Sequence, residues 1–248
     1  MLAHAPPVAR HDAAMSTEDR PVRVGLLAPM PSEFGPLVKA LALQRSDAGY
    51  TGSAGPIALV AAKTGIGTRR AAEATARLLD ASPVDHVMVV GIAGGMGASQ
   101  VGDLIFPEVV VDKATGAEYR PTPLHDVQSQ GRLVTHDDFD MQPAERDALV
   151  ADGFIAVDME TAAVAGVCEQ RGVKWSTVRA ISDLVGVTPG DVIGLANPDG
   201  TPNIGASIRY LVTKPWRIPR LVRLGFDAKN AADGAAKAAA QSLRAAAS

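Results

Sequence analysis

One stretch of the chain decides the fold: Lys174-Trp175-Ser176-Thr177-Val178-Arg179-Ala180-Ile181-Ser182-Asp183, an apolar run that ends on two polar residues. Its β-branched and aromatic side chains predict a strand at Lys174–Ile181 that is too continuously apolar to have one face in water. Strands of this kind are typical of mostly parallel sheets covered by helices. Ligands bind such sheets at the carboxyl ends of the strands, so we expect functional groups at Ser182 and Asp183.

Similar apolar runs recur along the chain and alternate with segments of helical periodicity. Further strands are predicted at Val22–Leu27, Ile57–Ala62, His86–Val90, Asp103–Val111 and Phe154–Val157. Apolar residues three and four positions apart predict helices at Thr68–Leu79, Met159–Gln170, Ile204–Val212 and Ile218–Ala228. Strands that alternate with helices predict an α/β fold, a three-layer α/β/α sandwich around a mixed, mostly parallel central sheet.

The length and composition suit a single domain. With 248 residues, of which 47% are apolar, the chain is long enough to bury one large core. We expect residues 1–20 to be a flexible leader, residues 21–230 to form one α/β domain, and residues 231–248 to be an Ala-rich helical tail that frays at its end. Residues Gly190–Asn203 are rich in Gly, Pro, Asn and Asp, which predicts a loop that covers the active site.

Charge and composition argue against several classes of partner. The net charge is −3 and the basic residues are scattered, which predicts neither nucleic-acid binding nor a polybasic membrane patch. No apolar run approaches the ~20 residues that cross a bilayer, so we expect a cytoplasmic protein that acts on a small molecule. The single cysteine, Cys168, is expected to be a buried apolar residue without chemistry of its own.

Motifs of several other enzyme classes are absent. The turn Thr64–Arg70 lacks both the third glycine of a dinucleotide fingerprint and the Gly-Lys-Ser/Thr of a P-loop. Thr51–Gly55 lacks the first glycine of a Gly-x-Ser-x-Gly elbow and precedes a strand instead of following one. The five histidines include no pair at helical ligand spacing, so neither a metal nor a cofactor is expected.

Three carboxylates follow three different predicted strands. Asp183 follows Lys174–Ile181, Glu160 begins the helix after Phe154–Val157, and Glu33 begins a helix after the first strand. Taken singly, each acid is more typical of a turn or of a helix N-terminus. Because strand ends converge on one crevice in an open α/β sheet, the three together indicate a catalytic site.

Six motifs occur in order within residues 22–183: Glu33, Thr64-Gly65-Ile66-Gly67, Val90-Gly91-Ile92-Ala93-Gly94-Gly95, Val101-Gly102-Asp103, Val157-Asp158-Met159-Glu160 and Val178-Arg179-Ala180-Ile181-Ser182-Asp183. This ordered set resembles the nucleoside phosphorylase and nucleosidase superfamily, and within it the methylthioadenosine/S-adenosylhomocysteine nucleosidase branch. It implies hydrolysis of the N-glycosidic bond of an adenosine-type nucleoside with a modified 5′ position. It also implies a homodimer, in which a neighbouring subunit closes each site.

The resemblance assigns a role to each carboxylate. Asp183 would protonate N7 of the departing purine, and Glu33 would act as general base on the attacking water. Glu160 would hold the ribose 2′ and 3′ hydroxyls through charge-assisted hydrogen bonds. The remaining substrate-binding residues that it implies are Met159 under the sugar, Phe139 on the base, Thr64 and Arg179 orienting the water, and Ser182, Ala93 and Gly94.

Two alternatives stay open at this stage. A phosphorylase on the same fold would use phosphate as the nucleophile, and Arg69 and Arg70 at a helix N-terminus offer it a plausible anion site. A carboxylate at Glu33 would repel phosphate, which favours water. The other alternative is a nucleoside-binding module without turnover.

Two features depart from the family pattern: Asp158, where the nucleosidase branch usually has glutamate, and the proline-rich stretch Lys113–Gly131. They leave the 5′ substituent of the substrate open.

Overall fold

The computed structural model describes residues 22–46, 49–138, 141–186, 197, 199, 201, 203, 205, 206, 209 and 213–248. The strands are β1 (Arg23–Ala28), β2 (Gln44–Ser46), β3 (Gly49–Ala54), β4 (Ile57–Lys63), β5 (His86–Gly95), β6 (Leu104–Ile105), β7 (Val109–Asp112), β8 (Glu118–Tyr119), β9 (Arg132–Thr135), β10 (Phe154–Asp158) and β11 (Lys174–Leu184). The helices are α1 (Pro31–Ala40), α2 (Thr68–Ala81), α3 (Pro143–Ala151), α4 (Thr161–Gln170) and α5 (Ile218–Ala246), the last of which follows a 3-10 turn at Pro215–Arg217.

The described strands form one mixed sheet in the order β2-β3-β4-β1-β5-β10-β9-β7-β8, with β11 paired to β5 and β6. The long central strands β4, β1, β5 and β11 are parallel to one another, and β9 is parallel to both β7 and β10. Helices α1 and α5 pack together in one apolar cluster, and α2 and α4 pack together in another. The predicted three-layer α/β/α architecture is thereby confirmed.

The middle strand, β5, is shared by different neighbours along its length. On one edge it pairs with β11 throughout, from His86 to Gly95. On the other edge its first half pairs with β1 in parallel, whereas Gly94 and Gly95 pair with β10 in the antiparallel direction. The carboxyl ends of β1 and β10 therefore approach each other along the same edge of β5, and a gap opens between them.

One predicted strand is divided in the structure, and several observed elements, among them β3, were not predicted. The segment predicted as one strand at Asp103–Val111 is split into β6 and β7, which pair with different strands. Pro107 lies between them and has no N–H group to donate, so it interrupts a continuous ladder. The hairpin strand β3 was not predicted, since its sequence, Gly49-Tyr50-Thr51-Gly52-Ser53-Ala54, has the composition of a loop and is held by pairing with β4.

The Ala-rich C-terminal segment is part of the core. Helix α5 continues through residue 230 without a break, and Ala231, Ala235, Ala239 and Leu243 are buried against α1, β5 and β11. The small alanine side chains let the helix approach the sheet closely. The prediction of a fraying tail considered only the composition and not this packing. The predicted boundary at residue 230 thus falls inside a single helix. The predicted leader, residues 1–20, lies outside the described residues.

Other predicted segments are covered only in part. Most of the helix predicted at Ile204–Val212 and most of the loop predicted at Gly190–Asn203 lie outside the described residues. Within the ranges that are described, no helix is both long and apolar enough to cross a membrane.

Candidate active site

A pocket of about 200 Å³ opens where β1, β10 and β11 end. It is lined by Pro29, Met30, Glu33, Ile66, Ile92, Ala93, Gly94, Val157, Asp158, Met159, Glu160, Ser182 and Asp183. The structure therefore brings together most of the residues that the sequence predicted for the site, including all three carboxylates. Their convergence on one apolar cavity is the central observation about this chain.

Glu33 connects the residues that follow β1 to the central strand β5. One carboxylate oxygen accepts a hydrogen bond from the backbone N–H of Met30 at 2.9 Å, and the other accepts one from the N–H of Ile92 at 2.8 Å. The residue is buried in the first turn of α1, which begins at Pro31. Burial raises the pKa of Glu33 to about 7, although Arg179 lowers it. A carboxyl group with this pKa can both accept and release a proton near neutral pH.

Glu160 lies immediately before α4 and reaches across to the start of α2. Its Oε1 accepts a hydrogen bond from the backbone N–H of Gly67 at 3.0 Å. Gly67 has φ +96°, a backbone conformation that favours glycine. A glycine at this position therefore allows the backbone conformation in which the N–H meets Glu160. Burial raises the pKa of Glu160, with Arg179 acting in the opposite direction.

Arg179 holds the acidic groups in place from behind the pocket. Its side chain is completely buried, and Nη2 lies 2.6 Å from Asp158 Oδ2 and 3.5 Å from Glu160 Oε2. Nη1 lies 3.9 Å from Glu33 Oε1. Burial alone would lower the pKa of Arg179, but the surrounding carboxylates outweigh that effect and raise it. The sequence predicted that Arg179 orients water; in the structure its guanidinium contacts carboxylates and does not line the pocket.

Asp158 is the partner of Arg179 that the sequence-based site did not include. Its Oδ1 accepts a hydrogen bond from Thr135 Oγ1 at 2.7 Å, and its Oδ2 accepts one from the hydroxyl of Thr161. The signal was present in the sequence, because an arginine in the middle of a buried strand requires a buried acid nearby. Strand pairing between β9 and β10 then brings Thr135 alongside Asp158.

Asp183 is presented by an irregularity in β11. Ile181 pairs with Ala93 and Asp183 pairs with Gly94, so Ser182 is an extra residue in the ladder. An extra residue of this kind redirects the side chains next to it. The Ser182 hydroxyl lies 2.6 Å from Asp183 Oδ1 and 3.3 Å from the carbonyl oxygen of Ala93. The bulge therefore ties the Asp183 carboxyl to the wall of the pocket.

The other predicted site residues are distributed as follows. Met159, Ala93 and Gly94 line the pocket. Thr64 is buried, does not line the pocket, and donates its hydroxyl to the Gly65 carbonyl oxygen at 2.8 Å. Phe139 lies outside the described residues. Among the residues that the structure describes, no group of three or more His, Cys, Asp or Glu side chains is arranged to hold a metal ion.

Gly91 allows the carboxylate and the guanidinium to approach β5. A Cβ atom at this position would lie 2.3 Å from Glu33 Oε1 and 2.4 Å from Arg179 Nη1. We therefore expect Gly91→Ala to lower the free energy of unfolding by about 1–3 kcal/mol, measured by denaturant titration. Gly234→Ala in α5 is the matched control, since its added methyl group meets no atom within 4 Å. Equal stability of the Gly91→Ala variant and the wild type would show that this close contact does not constrain the site.

The N-terminus of α2 is already occupied by protein carboxylates. The N–H of Gly67 binds Glu160, and the N–H of Thr68 binds Asp137 Oδ1 at 2.8 Å. Arg69 is paired with Glu73 at 2.7 Å on the exposed side of the helix. Neither Arg69 nor Arg70 lines the pocket. Two N–H groups and one arginine of this candidate anion site are thus engaged by carboxylates of the chain itself.

Comparisons with known proteins identify the family of this chain. The family model described as phosphorylase superfamily matches residues 23–143 and 125–199. A 5′-methylthioadenosine/S-adenosylhomocysteine nucleosidase from Anoxybacillus flavithermus is 32% identical over 168 residues, covering 55% of this chain and 72% of the relative.

Solved structures establish the same fold. A nucleosidase of that name from Colwellia psychrerythraea, in complex with adenine, matches with a TM-score of 0.67 at 22% identity, covering 90% of this chain and 95% of the other. Futalosine hydrolase of Helicobacter pylori matches with a TM-score of 0.66 at 19% identity, covering 90% and 97%. The resemblance that the sequence motifs indicated is confirmed, and the chain belongs to the phosphorylase superfamily.

Proposed function

We propose that this protein hydrolyses the N-glycosidic bond of adenosine-type nucleosides that carry a modified 5′ position, such as methylthioadenosine or S-adenosylhomocysteine, and releases the free base. One observation carries the proposal: Glu33, Glu160 and Asp183 line a single pocket. The relative that is 32% identical, a 5′-methylthioadenosine/S-adenosylhomocysteine nucleosidase, supports the substrate class.

In the proposed reaction, positive charge develops on the ribose as the bond breaks, and negative charge develops on the purine. Asp183 donates a proton to N7, so that the base departs as a neutral molecule. Glu160 accepts hydrogen bonds from the 2′ and 3′ hydroxyls and fixes the sugar beside Met159. Apolar residues such as Ile92 and Val157 line the same pocket and exclude bulk water from these groups.

Glu33 is the general base for the attacking water. Its two backbone hydrogen bonds fix the orientation of the carboxylate. The positive charge of Arg179 favours the deprotonated form of this buried group. A negative group in this position repels a phosphate dianion but accepts a proton from water. Because the N–H groups at the start of α2 bind Glu160 and Asp137, hydrolysis is favoured over phosphorolysis.

The pKa of Glu33 leads to a pH dependence. Only the deprotonated form accepts a proton from water, so kcat/KM should rise with pH, by about tenfold per pH unit well below pH 7. Glu33→Gln should lower kcat/KM by about 10²–10⁴-fold and remove this rise. Glu108→Gln, a change at an exposed residue, should retain the wild-type profile. A wild-type profile that stays flat far below pH 7 would contradict the role of Glu33.

The substrate proposal is tested with a panel of nucleosides. Purified protein is incubated with methylthioadenosine, S-adenosylhomocysteine, adenosine and inosine, with and without phosphate, and the free base is measured. We expect base release from the 5′-modified adenosines without phosphate. No free base from any of them would overturn the enzymatic proposal in favour of a binding module, whereas release only with phosphate would support a phosphorylase.

We further propose that the protein is a cytoplasmic homodimer, since the superfamily resemblance implies that a neighbouring subunit completes each site. The measurement is the molar mass of the purified protein in solution by light scattering. A mass of one chain at all concentrations that support activity would contradict the dimer.

A further inference from the structure

The first three turns of α5, together with the 3-10 turn before them, carry apolar side chains on the surface. Trp216 is 72% exposed, Val222 66% and Phe226 63%, and Ile218 is 38% exposed. Of the seven large apolar side chains that are exposed among the described residues, these four lie within eleven consecutive positions. Clustering on this scale is unlike the scattered apolar residues of an ordinary surface.

The exposed side chains lie on one side of α5, and the opposite side of the helix packs against the rest of the domain. Ile218, Val222 and Phe226 follow one another at four-residue spacing and share one face. Leu221 and Leu224 are half-buried and lie in line with the buried alanines farther along α5. We call the exposed side the Trp216–Phe226 face. The helix is packed on its opposite side, and in the part of the chain that the structure describes this face is exposed.

Positive charge is concentrated in the same segment. Residues 214–229 contain five basic residues and one acidic residue, a net charge of +4, whereas the whole chain has a net charge of −3. The basic residues are Lys214, Arg217, Arg220, Arg223 and Lys229, and the acid is Asp227. Within the helix, Arg223 lies 3.8 Å from Asp227 and Lys229 lies 2.8 Å from Asp233, and both basic side chains remain largely exposed.

We propose that the Trp216–Phe226 face docks on the surface of a bilayer that contains anionic lipids, with the helix lying in the plane of the interface. Aromatic and aliphatic side chains enter the boundary between headgroups and acyl chains, while the neighbouring cations bind anionic headgroups. No described helix is apolar enough to span a bilayer, so the contact is peripheral. The proposal departs from the sequence-based expectation of no membrane partner, which considered the charge pattern and apolar runs of the sequence and not the faces of this helix.

Charge favours a lipid surface over a second copy of this chain. A two-fold interface through this face would place the segment against its own copy, and two segments of +4 would repel each other. An anionic bilayer instead complements both the charge and the apolar side chains.

The experiment measures sedimentation of the full-length protein with vesicles. We expect the wild type to sediment with phosphatidylcholine vesicles that contain phosphatidylglycerol, to stay in solution with phosphatidylcholine alone, and to be released by high salt. The double variant Val222→Ser/Phe226→Ser should lower the partition coefficient about tenfold or more. Arg223→Gln, at a side chain that is 85% exposed, should weaken binding to the anionic vesicles.

The matched control is Val101→Ser/Leu104→Ser, which removes two exposed apolar side chains elsewhere and should sediment like the wild type. All variants should keep the wild-type circular dichroism spectrum and the wild-type turnover of a water-soluble nucleoside. Failure of the wild type to sediment, or equal losses in the two double variants, would overturn the proposal. So would a fall in molar mass on light scattering of Val222→Ser/Phe226→Ser, because it would identify the face as a contact between copies.

Discussion

The Asp183→Asn variant is expected to lose about 10²–10⁴-fold in kcat/KM, because asparagine can hydrogen-bond to N7 of the purine but cannot protonate it. The geometry of the site should survive, since an amide can retain the contact with the Ser182 hydroxyl. We expect the loss to lie mainly in kcat, with the binding of adenine, measured by calorimetry, changed much less.

The matched control for this prediction is Asp152→Asn, the same chemical change at an exposed residue that ends α3. It should be indistinguishable from the wild type in both kcat and KM. Equal activity of Asp183→Asn and the wild type would contradict the assignment of Asp183 as the general acid. It would favour a site in which this residue only recognises the edge of the purine.

The Arg179→Met variant is expected to lose about 3–5 kcal/mol in the free energy of unfolding at neutral pH. Three buried carboxylates, those of Glu33, Asp158 and Glu160, lie within 4 Å of this guanidinium. Removing the cation takes away the positive charge that favours the deprotonated forms of Glu33 and Glu160 in this buried site. The measurement is urea denaturation followed by circular dichroism, repeated at several pH values.

The pH series separates charge from packing. Below pH 7 Glu33 becomes protonated, so the destabilisation by Arg179→Met should shrink as pH falls, relative to the wild type at the same pH. Arg171→Met, which removes an exposed pair with Asp80, should cost at most about 1 kcal/mol at any pH. A large loss for Arg179→Met that is independent of pH would indicate lost packing and contradict the electrostatic role.

The sequence was sufficient for the fold class because the apolar strands are long and bounded by polar residues. Lys174–Ile181 and His86–Val90 became the two central paired strands, β11 and β5. It also predicted that Glu33, Glu160 and Asp183 lie in one site, because each follows a predicted strand, although it did not include Asp158. These predictions depend only on local sequence, namely apolar strands followed by acidic residues, and the observed strand pairing agrees with them.

The way in which the carboxylates meet depends on pairing that the sequence does not specify. A wholly parallel sheet would bring the strand ends to one edge, but β10 runs antiparallel to β5 and meets β1 end to end. The extra residue at Ser182 is a property of the register between β11 and β5. Likewise, the burial of Ala235 and Ala239 arises from close packing of α5, which a composition of small residues does not predict.

The central claim is that water, and not phosphate, attacks the ribose. The most direct test is the reaction with methylthioadenosine in ¹⁸O-labelled water that contains phosphate, with the sugar product analysed by mass spectrometry. The proposed mechanism predicts one labelled oxygen in a free methylthioribose, formed at a rate that does not depend on phosphate. Formation of a sugar phosphate without the label would contradict it.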